Sequence, residues 1–337
     1  MKQNNILHIM ILEKFLVPFI DFVDEYFGRE GHYYVFITSE KYQFGLTPQH
    51  HVEFLHTDQD IFFTLLNYMK LAKKIILHGL WRDKVQLLLY FNQDILKKCY
   101  WIMWGGDFYF PEKQSSIKKQ VIKNMGHLIT YINGDYELAR KWYGSKGKYH
   151  KCFTYPSNLY KEYDMKQKKY NTKNIQIGNS ADPTNNHLEI LEKLKVYKDE
   201  NVRIFAPLSY GDKEYAKTVI LKGKEYFEEK FVPLVDFMPL KNYLQFLGEI
   251  DIAIFAHKRQ QAMGNTITLL GLGKKVYLDS STVQWNFFNQ HSIKIFNLKN
   301  INLEDLNENI KVHNKEKIRH SFSKEVLLDG LQRIFND

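Results

Sequence analysis

Short apolar segments and amphipathic segments alternate along most of this 337-residue chain, and this alternation restricts its fold more than any other feature. Strand–helix alternation is typical of α/β layers with parallel sheets. The predicted strands are Ile6–Leu12, Tyr33–Thr38, Lys74–His78, Cys99–Trp104, His127–Ile132, Ile175–Ile177, Val202–Ala206, Val232–Asp236, Ile250–Phe255, Lys275–Leu278 and Ile293–Asn297. The predicted helices are Phe19–Tyr26, Asp58–Leu71, Val85–Phe91, Leu188–Leu194, Lys213–Phe227, Leu240–Gly248, Asn265–Leu272 and Lys324–Phe335.

The series of strands and helices is interrupted once, by a polar, Lys-rich stretch without periodicity at residues 160–173. We interpret this stretch as a linker between two Rossmann-like domains that face each other across a cleft. The predicted domains are residues 1–159 and 174–318. Residues 319–337 form a C-terminal helix, for which we consider packing back onto the N-terminal domain.

The charge balance indicates an anionic partner. Formal net charge is +9, which suits a nucleotide or an anionic membrane surface, although solvated lysines on helix faces explain much of it. Only Cys99 and Cys152 are present, far apart and without metal-site spacing, which favours a reducing, cytoplasmic setting. The N-terminus lacks a signal-peptide pattern, and no apolar run approaches the roughly 20 residues of a membrane span.

In the second half, polar loops follow the predicted strands where ligands gather in open α/β sheets. The first is Gly178-Asn179-Ser180, which precedes a helix and leaves backbone N–H groups free for an anion. The others are Ser209-Tyr210-Gly211 and the segment from Arg259-Gln260-Gln261 to Gly264-Asn265-Thr266. Taken alone, capping by Asn and Ser explains the first loop equally well, and capping by Asn265 or Thr266 together with solvated charge explains the third loop better. Together they predict a nucleotide-diphosphate pocket.

In the first half, two strand-end segments carry aromatic and acid–base side chains. His78-Gly79-Leu80-Trp81 follows one strand, and Trp104-Gly105-Gly106-Asp107-Phe108-Tyr109 follows another. Aromatic faces with polar neighbours suit sugar rings. Asp107 and His78 are the candidate bases, both expected at strand ends facing the cleft. The alternatives are a helix-capping Asp107 and a structural His78.

Several motifs of other protein classes are missing. The sequence has no Walker loop, no G-x-G-x-x-G after the first strand, no H-E-x-x-H and no G-x-S-x-G. Asp58-Gln59-Asp60 opens a predicted helix, so capping explains it better than metal binding. A metal-dependent single-domain transferase is disfavoured, and no nucleic-acid-binding signature is present. We predict no metal site, no cofactor and no nucleic-acid partner.

In these strand-end segments the chain resembles the bacterial TDP-N-acetylfucosamine:lipid II N-acetylfucosaminyltransferases, which are the 4-alpha-L-fucosyltransferase-type glycosyltransferases. The resemblance runs over nearly the whole chain. Its anchors, in order, are Leu77-His78-Gly79, Trp104–Tyr109, Gly178-Asn179-Ser180 with Asn186-His187, Pro207–Gly211 and Arg259–Thr266. The chain departs from the pattern at His257-Lys258-Arg259, at Ser209–Asp212, and at Glu13-Lys14-Phe15 after the first strand, where a Gly-Ser turn is expected.

The resemblance implies a GT-B fold and metal-independent transfer from a nucleotide-sugar to an undecaprenyl-diphosphate-linked saccharide at the cytoplasmic membrane face. The resemblance also implies a dTDP- or UDP-sugar donor, with an N-acetylated deoxy sugar as the candidate sugar, and a role in surface polysaccharide synthesis resembling that of enterobacterial common antigen. Glycosylation of a protein and non-catalytic nucleotide-sugar binding are the alternatives.

The predicted site residues fall into three groups. The donor-binding set is Gly178, Asn179, Ser180, His187, Ser209, Tyr210, Gly211, Arg259, Gln260, Gln261, Gly264, Asn265 and Thr266. The acceptor-binding set is Trp81, Trp104, Gly105, Gly106 and Tyr109, and the catalytic set is Asp107 and His78. Membrane attachment is predicted through Lys113, Lys118, Lys119 and Lys123, with Phe108, Tyr109 and Phe110 beside them.

Overall fold

A computed structural model describes residue 3, residues 5–163 and residues 171–337 of the chain. The chain divides into two compact units. Unit 1 comprises Met1–Leu159 together with Lys324–Asp337, and unit 2 comprises Tyr160–Ser323. Residues 164–170 of the predicted linker lie outside the described residues.

Unit 1 is built on a seven-stranded sheet in the order β3-β2-β1-β4-β5-β6-β7, with every neighbouring pair parallel. Its strands are β1 Ile6–Met10, β2 His32–Phe36, β3 Glu53–Phe54, β4 Lys74–His78, β5 Cys99–Ile102, β6 His127–Ile129 and β7 Lys148–His150. Its helices are α1 Leu16–Phe27, α2 Leu66–Leu71, α3 Asp83–Phe91, α4 Ser116–Lys123 and α5 Asn133–Tyr143. A π-helical turn at Asp60–Leu65 leads into α2.

Unit 2 contains a six-stranded parallel sheet in the order β10-β9-β8-β11-β12-β13. Its strands are β8 Lys173–Ile177, β9 Val202–Pro207, β10 Phe231–Leu234, β11 Ile252–Phe255, β12 Lys275–Leu278 and β13 Phe296–Asn297. Its helices are α6 His187–Leu194, α7 Lys213–Phe227, α8 Leu240–Glu249, α9 Met263–Gly271, α10 Val283–Gln290 and α11 Glu308–Ser321. The last helix of the chain, α12 Lys324–Asn336, belongs to unit 1.

The central strands form because their side chains are buried on both faces of each sheet. Every residue of β4, β5, β11 and β12 is buried. Parallel strands covered by helices on both sides are expected to be rich in Ile, Val and Leu, as these are. The predicted α/β class with two parallel sheets is therefore confirmed.

The sequence pattern missed the weaker elements. β3 and β7 are two and three residues long, and β7 carries Lys and His side chains, so neither strand shows an apolar run. Helices α4, α5, α10 and α11 were also not predicted, because polar residues interrupt their apolar stripes. The predicted capping at Asp60 is confirmed, since its carboxylate accepts hydrogen bonds from the backbone N–H groups of His56 and Thr57.

No helix among the described residues has both the length and the mean hydropathy that a bilayer span requires.

Candidate active site

Two places in the sheets have the topology that binds ligands. In an open α/β sheet, a ligand binds beyond the carboxyl ends of two neighbouring strands whose connections run in opposite directions. In unit 1 these strands are β1 and β4, and in unit 2 they are β8 and β11. The loops after β4, β8 and β11, together with the first turns of the helices that follow β8 and β11, contain eleven of the twenty predicted site residues.

The loop after β8 is held in one conformation by close packing around Gly178. This glycine has a φ of +62°, and a Cβ there would overlap the His187 ring and lie 2.9 Å from Asn185 Oδ1. Asn185 Oδ1 accepts a hydrogen bond from the backbone N–H of Asn179 at 2.9 Å, and its Nδ2 donates to Ser180 Oγ at 3.2 Å. Position 178 therefore requires glycine.

The loop after β9 is joined to the loop after β8 through backbone bonds. The N–H of Ala181 donates to the carbonyl of Tyr210 at 2.7 Å, and the N–H of Asp212 donates to Ala181 O at 3.1 Å. Asn179 Nδ2 also donates to the Tyr210 hydroxyl at 3.2 Å. The structure thus brings together the first two predicted donor-binding loops, with Ser209 and Gly211 beside Tyr210.

The loop after β11 is the third member of this arrangement. Asn186 Nδ2 donates to Ala256 O at 2.7 Å, and Gln261 Nε2 donates to Asn179 Oδ1 at 3.3 Å. Thr184 Oγ1 donates to Gln261 Oε1 at 2.9 Å. Because side-chain amides connect the two loops, they form one polar surface at the β8/β11 position.

Arg259 contributes the positive charge on this surface. Its guanidinium lies 3.3 Å from the carboxylate of Asp182, and its side chain is mostly buried. Burial opposes ionisation of Asp182, but hydrogen bonds from Thr184 and the charge of Arg259 outweigh it and lower the Asp182 pKa. Lys258 is exposed instead and pairs with Asp279.

Helix α9 begins at Met263, after Ala262 in the left-handed conformation, and none of the described side chains caps it. The prediction that Asn265 or Thr266 caps this helix is wrong, because both lie inside its first turn. Thr266 is fully buried and its hydroxyl donates to Ala262 O at 3.0 Å, so it is engaged within the helix. The helix terminus near Gly264 and Asn265 retains uncapped backbone N–H groups that suit an anion.

Two buried histidines lie among these loops with unsatisfied nitrogens. Among the described residues, both ring nitrogens of His187 and Nδ1 of His257 have no hydrogen-bond partner. His257 Nε2 lies 2.8 Å from Asn185 Oδ1. Burial lowers the pKa of His187 to about 4 and that of His257 to about 3, so both rings are neutral near pH 7. Buried polar atoms are rarely left unpaired, so these nitrogens indicate a place for a ligand or ordered water.

In unit 1, Asp107 is fully buried and is not directed to solvent at a strand end as expected. Its carboxylate accepts hydrogen bonds from Leu80 N at 3.0 Å, Trp101 Nε1 at 2.8 Å and Trp104 N at 3.1 Å. Burial raises its pKa, while the charge of Lys118 and these bonds oppose the rise. The carboxylate therefore joins the loops after β4 and β5.

His78 is also buried, contrary to its expected position facing the cleft, and belongs to a chain of hydrogen bonds. Its Nδ1 lies 2.9 Å from the Tyr155 hydroxyl, and its Nε2 lies 3.1 Å from His8 Nδ1. His8 Nε2 in turn lies 2.9 Å from His32 Nδ1. Burial lowers the pKa of His78 to about 3, so the ring is a neutral member of this network.

The aromatic residues at this edge are only partly accessible. Trp81 is 38% exposed and its ring centroid is 5.8 Å from that of Trp104, whose Nε1 donates to the Tyr155 hydroxyl at 2.9 Å. Gly105 lies in this loop with a φ of +77° and is followed by Gly106. Tyr109, expected to contact the acceptor, is buried and its hydroxyl donates to Asp135 Oδ1 at 2.7 Å.

The predicted membrane-binding segment is corrected by the structure. Phe108, Tyr109 and Lys118 are buried in unit 1, and Lys118 faces the Asp107 carboxylate. Lys113 and Lys123 are exposed, whereas Lys119 and Phe110 are half-buried. The segment does not present the basic and aromatic surface that the sequence suggested.

The sequence reasoning did not select two carboxylates at the carboxyl edge of the unit 1 sheet. Glu13 is half-buried in the loop after β1, and burial raises its pKa, while the charge of Lys14 opposes the rise. Asp135 follows β6, and burial raises its pKa to about 7, against the hydrogen bond from Tyr109. The one feature of the sequence that could have identified Glu13 as a candidate site residue is its position directly after the first predicted strand.

A small pocket lies at the β1/β4 position, lined by Met10, Ile11, Gly79, Trp81, Arg82 and Gln86 among others. Glu13 follows this lining by two residues along the chain. Gly79 has a φ of +81°, and a Cβ there would overlap the Trp81 indole, so the glycine allows Trp81 to fold back over the loop.

Comparison with solved structures shows the same two-domain fold in glycosyltransferases. HepE of Anabaena, crystallised with UDP and glucose, has 13% sequence identity and a TM-score of 0.65, over 99% of this chain and 95% of that one. A glycosyltransferase from Rickettsia africae has 14% identity and a TM-score of 0.67, over 100% and 98% of the two chains. An O-GlcNAc transferase mutant from Thermobaculum terrenum has 10% identity and a TM-score of 0.60, over 100% and 68%. These likenesses establish a GT-B fold.

A protein-family model described as 4-alpha-L-fucosyltransferase, glycosyl transferase group 56, matches residues 19–327 of the chain.

Proposed function

The chain belongs to the 4-alpha-L-fucosyltransferase family, glycosyl transferase group 56, and on that basis we propose that unit 2 binds a nucleotide-diphosphate sugar while unit 1 binds a lipid-linked saccharide acceptor. The observation that carries the proposal is the polar surface at β8/β11, where three loops meet around two buried imidazoles whose ring nitrogens are unpaired, both in His187 and one in His257, among the described residues. HepE, which shares the fold, was crystallised with UDP-glucose.

The donor diphosphate is proposed to lie between the N-terminus of α9 and the loop after β8. The uncapped N–H groups near Gly264 and Asn265, with the Arg259 guanidinium, would neutralise the departing nucleoside diphosphate. The neutral His187 offers one ring N–H as a donor to a phosphate or sugar oxygen, whereas His257 donates its Nε2–H to Asn185 and offers Nδ1 as an acceptor for a sugar hydroxyl. Asn179, Tyr210 and Gln261 complete the polar surface.

Transfer then proceeds by displacement at the anomeric carbon of the donor sugar. The acceptor hydroxyl oxygen forms the new bond to this carbon as the bond to the diphosphate oxygen breaks, and the diphosphate leaves with the electron pair. The proton of the hydroxyl passes to a base. We propose Glu13 as this base because it is half-buried at the β1/β4 position with a raised pKa. Asp107 and His78 would then position the surrounding loops.

The lipid-linked acceptor implies a membrane-facing surface on unit 1. Phe63 on the π-helical turn and Phe91 at the end of α3 are 69% and 73% exposed, and their elements pack against each other. Exposed aromatic rings on neighbouring elements support contact with lipid. Phe63→Ser with Phe91→Ser is expected to reduce co-sedimentation with phosphatidylglycerol vesicles, whereas Leu221→Ser, at an exposed position of α7, leaves it unchanged.

The test of donor binding is thermal denaturation with UDP, dTDP, GDP and CMP. A nucleotide at 100 times its Kd adds about 2.7 kcal/mol of stability, which is enough to rank the bases. Arg259→Ala should abolish the shift, whereas Lys258→Ala should retain it, because Lys258 pairs with Asp279. A shift from none of the nucleotides, or equal shifts in both variants, would contradict the assignment. Binding without turnover on any lipid-linked acceptor would instead favour a non-catalytic or protein-modifying role.

A further inference from the structure

Two histidines and an aspartate meet on one face of the unit 1 sheet. His127 is the first residue of β6, His150 is the last residue of β7, and Asp337 follows α12. Strand pairing places Lys148 beside His127, and His150 lies two residues further along the same face. None of the three residues lies in the loops after β1 or β4, so the cluster is separate from the proposed acceptor site.

The distances within this cluster resemble those around a tetrahedral metal ion. His127 Nδ1 lies 2.9 Å from His150 Nε2, and Asp337 Oδ2 lies 3.6 Å from the first nitrogen and 3.8 Å from the second. Zinc bonds of about 2.0–2.1 Å at tetrahedral angles separate ligand atoms by about 3.3–3.4 Å. One ion therefore fits between the three atoms with shifts of a few tenths of an ångström.

Neighbouring side chains hold the carboxylate and one ring in place. The Tyr100 hydroxyl donates to Asp337 Oδ2 at 2.7 Å, and the Tyr100 ring stacks on His127 with centroids 3.8 Å apart. Lys148 donates to the other oxygen of Asp337. Hydrogen bonds of this kind orient metal ligands in known sites. The side chains of His127, His150 and Asp337 are 18%, 8% and 21% exposed, so an ion can reach them from solvent.

The protonation states near pH 7 also suit coordination. Burial lowers the pKa of His127 and lowers that of His150 to about 4, so both rings are neutral. Several effects, of which the hydrogen bond from Lys148 is the largest, lower the pKa of Asp337 to about 2. His127 Nδ1 and His150 Nε2 lie at hydrogen-bond distance, so one of them carries a proton, which moves to the other nitrogen of its ring when the ion binds. Lys74 and Lys148 lie nearby and oppose a cation, and Lys148 is already paired with the carboxylate.

We propose that His127, His150 and Asp337 bind one Zn²⁺-like divalent ion, with water in the fourth position. Two neutral imidazoles and one carboxylate form a ligand set that zinc accepts. The ion joins the residue after α12 to strands β6 and β7. Its role is to attach the C-terminal helix to the sheet, so it does not take part in the proposed glycosyl transfer.

The test is titration of the chelator-treated full chain with Zn²⁺, followed by calorimetry, and with Co²⁺, followed by visible absorption. We expect one ion per chain and a rise in melting temperature on binding. His150→Gln and Asp337→Asn should each weaken binding at least tenfold. His320→Gln, at an exposed position of α11, should leave binding unchanged.

Circular dichroism of the metal-free variants shows whether each variant is folded, so that weak binding can be distinguished from a failure to fold. If His150→Gln fails to fold, Asp337→Asn alone decides, because it preserves the size of the side chain. Absence of binding to the native chain, or binding of equal strength in the Asp337 variant and the native chain, would show that the cluster is an ion pair network only.

Discussion

The carboxylate of Asp107 accepts a hydrogen bond from the Trp101 indole at 2.8 Å within the core of unit 1. The same carboxylate oxygen also accepts one from the backbone N–H of Leu80. Asp107 therefore links a β-strand to the loop that carries Trp81. Because these donors occupy the buried carboxylate, the arrangement favours a positioning role for Asp107 over the role of a general base.

Asp107→Asn should lower stability, because an amide cannot accept all three hydrogen bonds and leaves a buried donor unpaired. We expect the free energy of unfolding to fall by about 1–3 kcal/mol. Urea denaturation measures this change, and nucleotide affinity should stay the same. A large loss of turnover with unchanged stability would instead identify Asp107 as the base.

Glu13→Gln should lower turnover roughly 100-fold or more, because the amide cannot accept the proton of the acceptor hydroxyl. Nucleotide affinity, measured by calorimetry, should change little. Glu30→Gln is the matched control, since Glu30 is exposed in the same unit. If Glu13→Gln retains turnover while Asp135→Asn loses it, the base is Asp135.

Gly178→Ala should weaken nucleotide binding by about tenfold or more, equivalent to about 1.4 kcal/mol. The new Cβ would overlap His187 in a backbone conformation that disfavours alanine. Gly31→Ala is the control, because a Cβ at position 31 meets nothing within 4 Å. Unchanged affinity in both variants would remove the loop after β8 from the donor site.

Unit 1 should lose stability as the pH falls from 6 to 5. Burial holds the pKa values of His8, His32 and His78 below their usual range, to about 4 for His32 and about 3 for His78. The unfolded chain therefore binds more protons at these three histidines, and each lowers the free energy of unfolding by up to about 1.4 kcal/mol per pH unit. The raised pKa of Asp135 acts in the opposite direction and offsets about one of the three. This stabilisation is present above pH 6.5.

The measurement is urea denaturation followed by tryptophan fluorescence at pH 7, 6 and 5. Four of the five tryptophans report on unit 1, namely Trp81, Trp101, Trp104 and Trp142. His78→Gln should reduce the pH dependence of the free energy of unfolding by the equivalent of about one bound proton, and His320→Ala should leave it unchanged. Equal pH dependence in native protein and His78→Gln would contradict the assignment.

The helices and strands that the sequence predicts best are those with the strongest local pattern of apolar residues. β4, β12 and α7 were predicted with their observed ends, because buried apolar runs and a clear stripe define them. The short edge strand β3 was missed because its pairing with β2 is decided by tertiary contacts.

Site residues were harder to predict than the fold, because burial and partners are not visible in sequence. Asp107 and Glu13 both follow central strands, yet only the structure distinguishes the buried carboxylate from the half-buried one. The His127–His150–Asp337 cluster was missed for a similar reason, since its members are 23 and 187 residues apart along the chain.

The return of α12 to unit 1 has a consequence for biosynthesis. The α12 side chains Leu327, Leu331, Ile334 and Phe335 are buried in a unit whose remaining residues come from the first 159 positions, and Cys152 packs against Gly330. While the ribosome is still translating, residues 1–159 lack these side chains, whereas all of residues 160–323 precede the last helix. Unit 2 can therefore complete its core first, and unit 1 remains a target for chaperones until translation reaches α12.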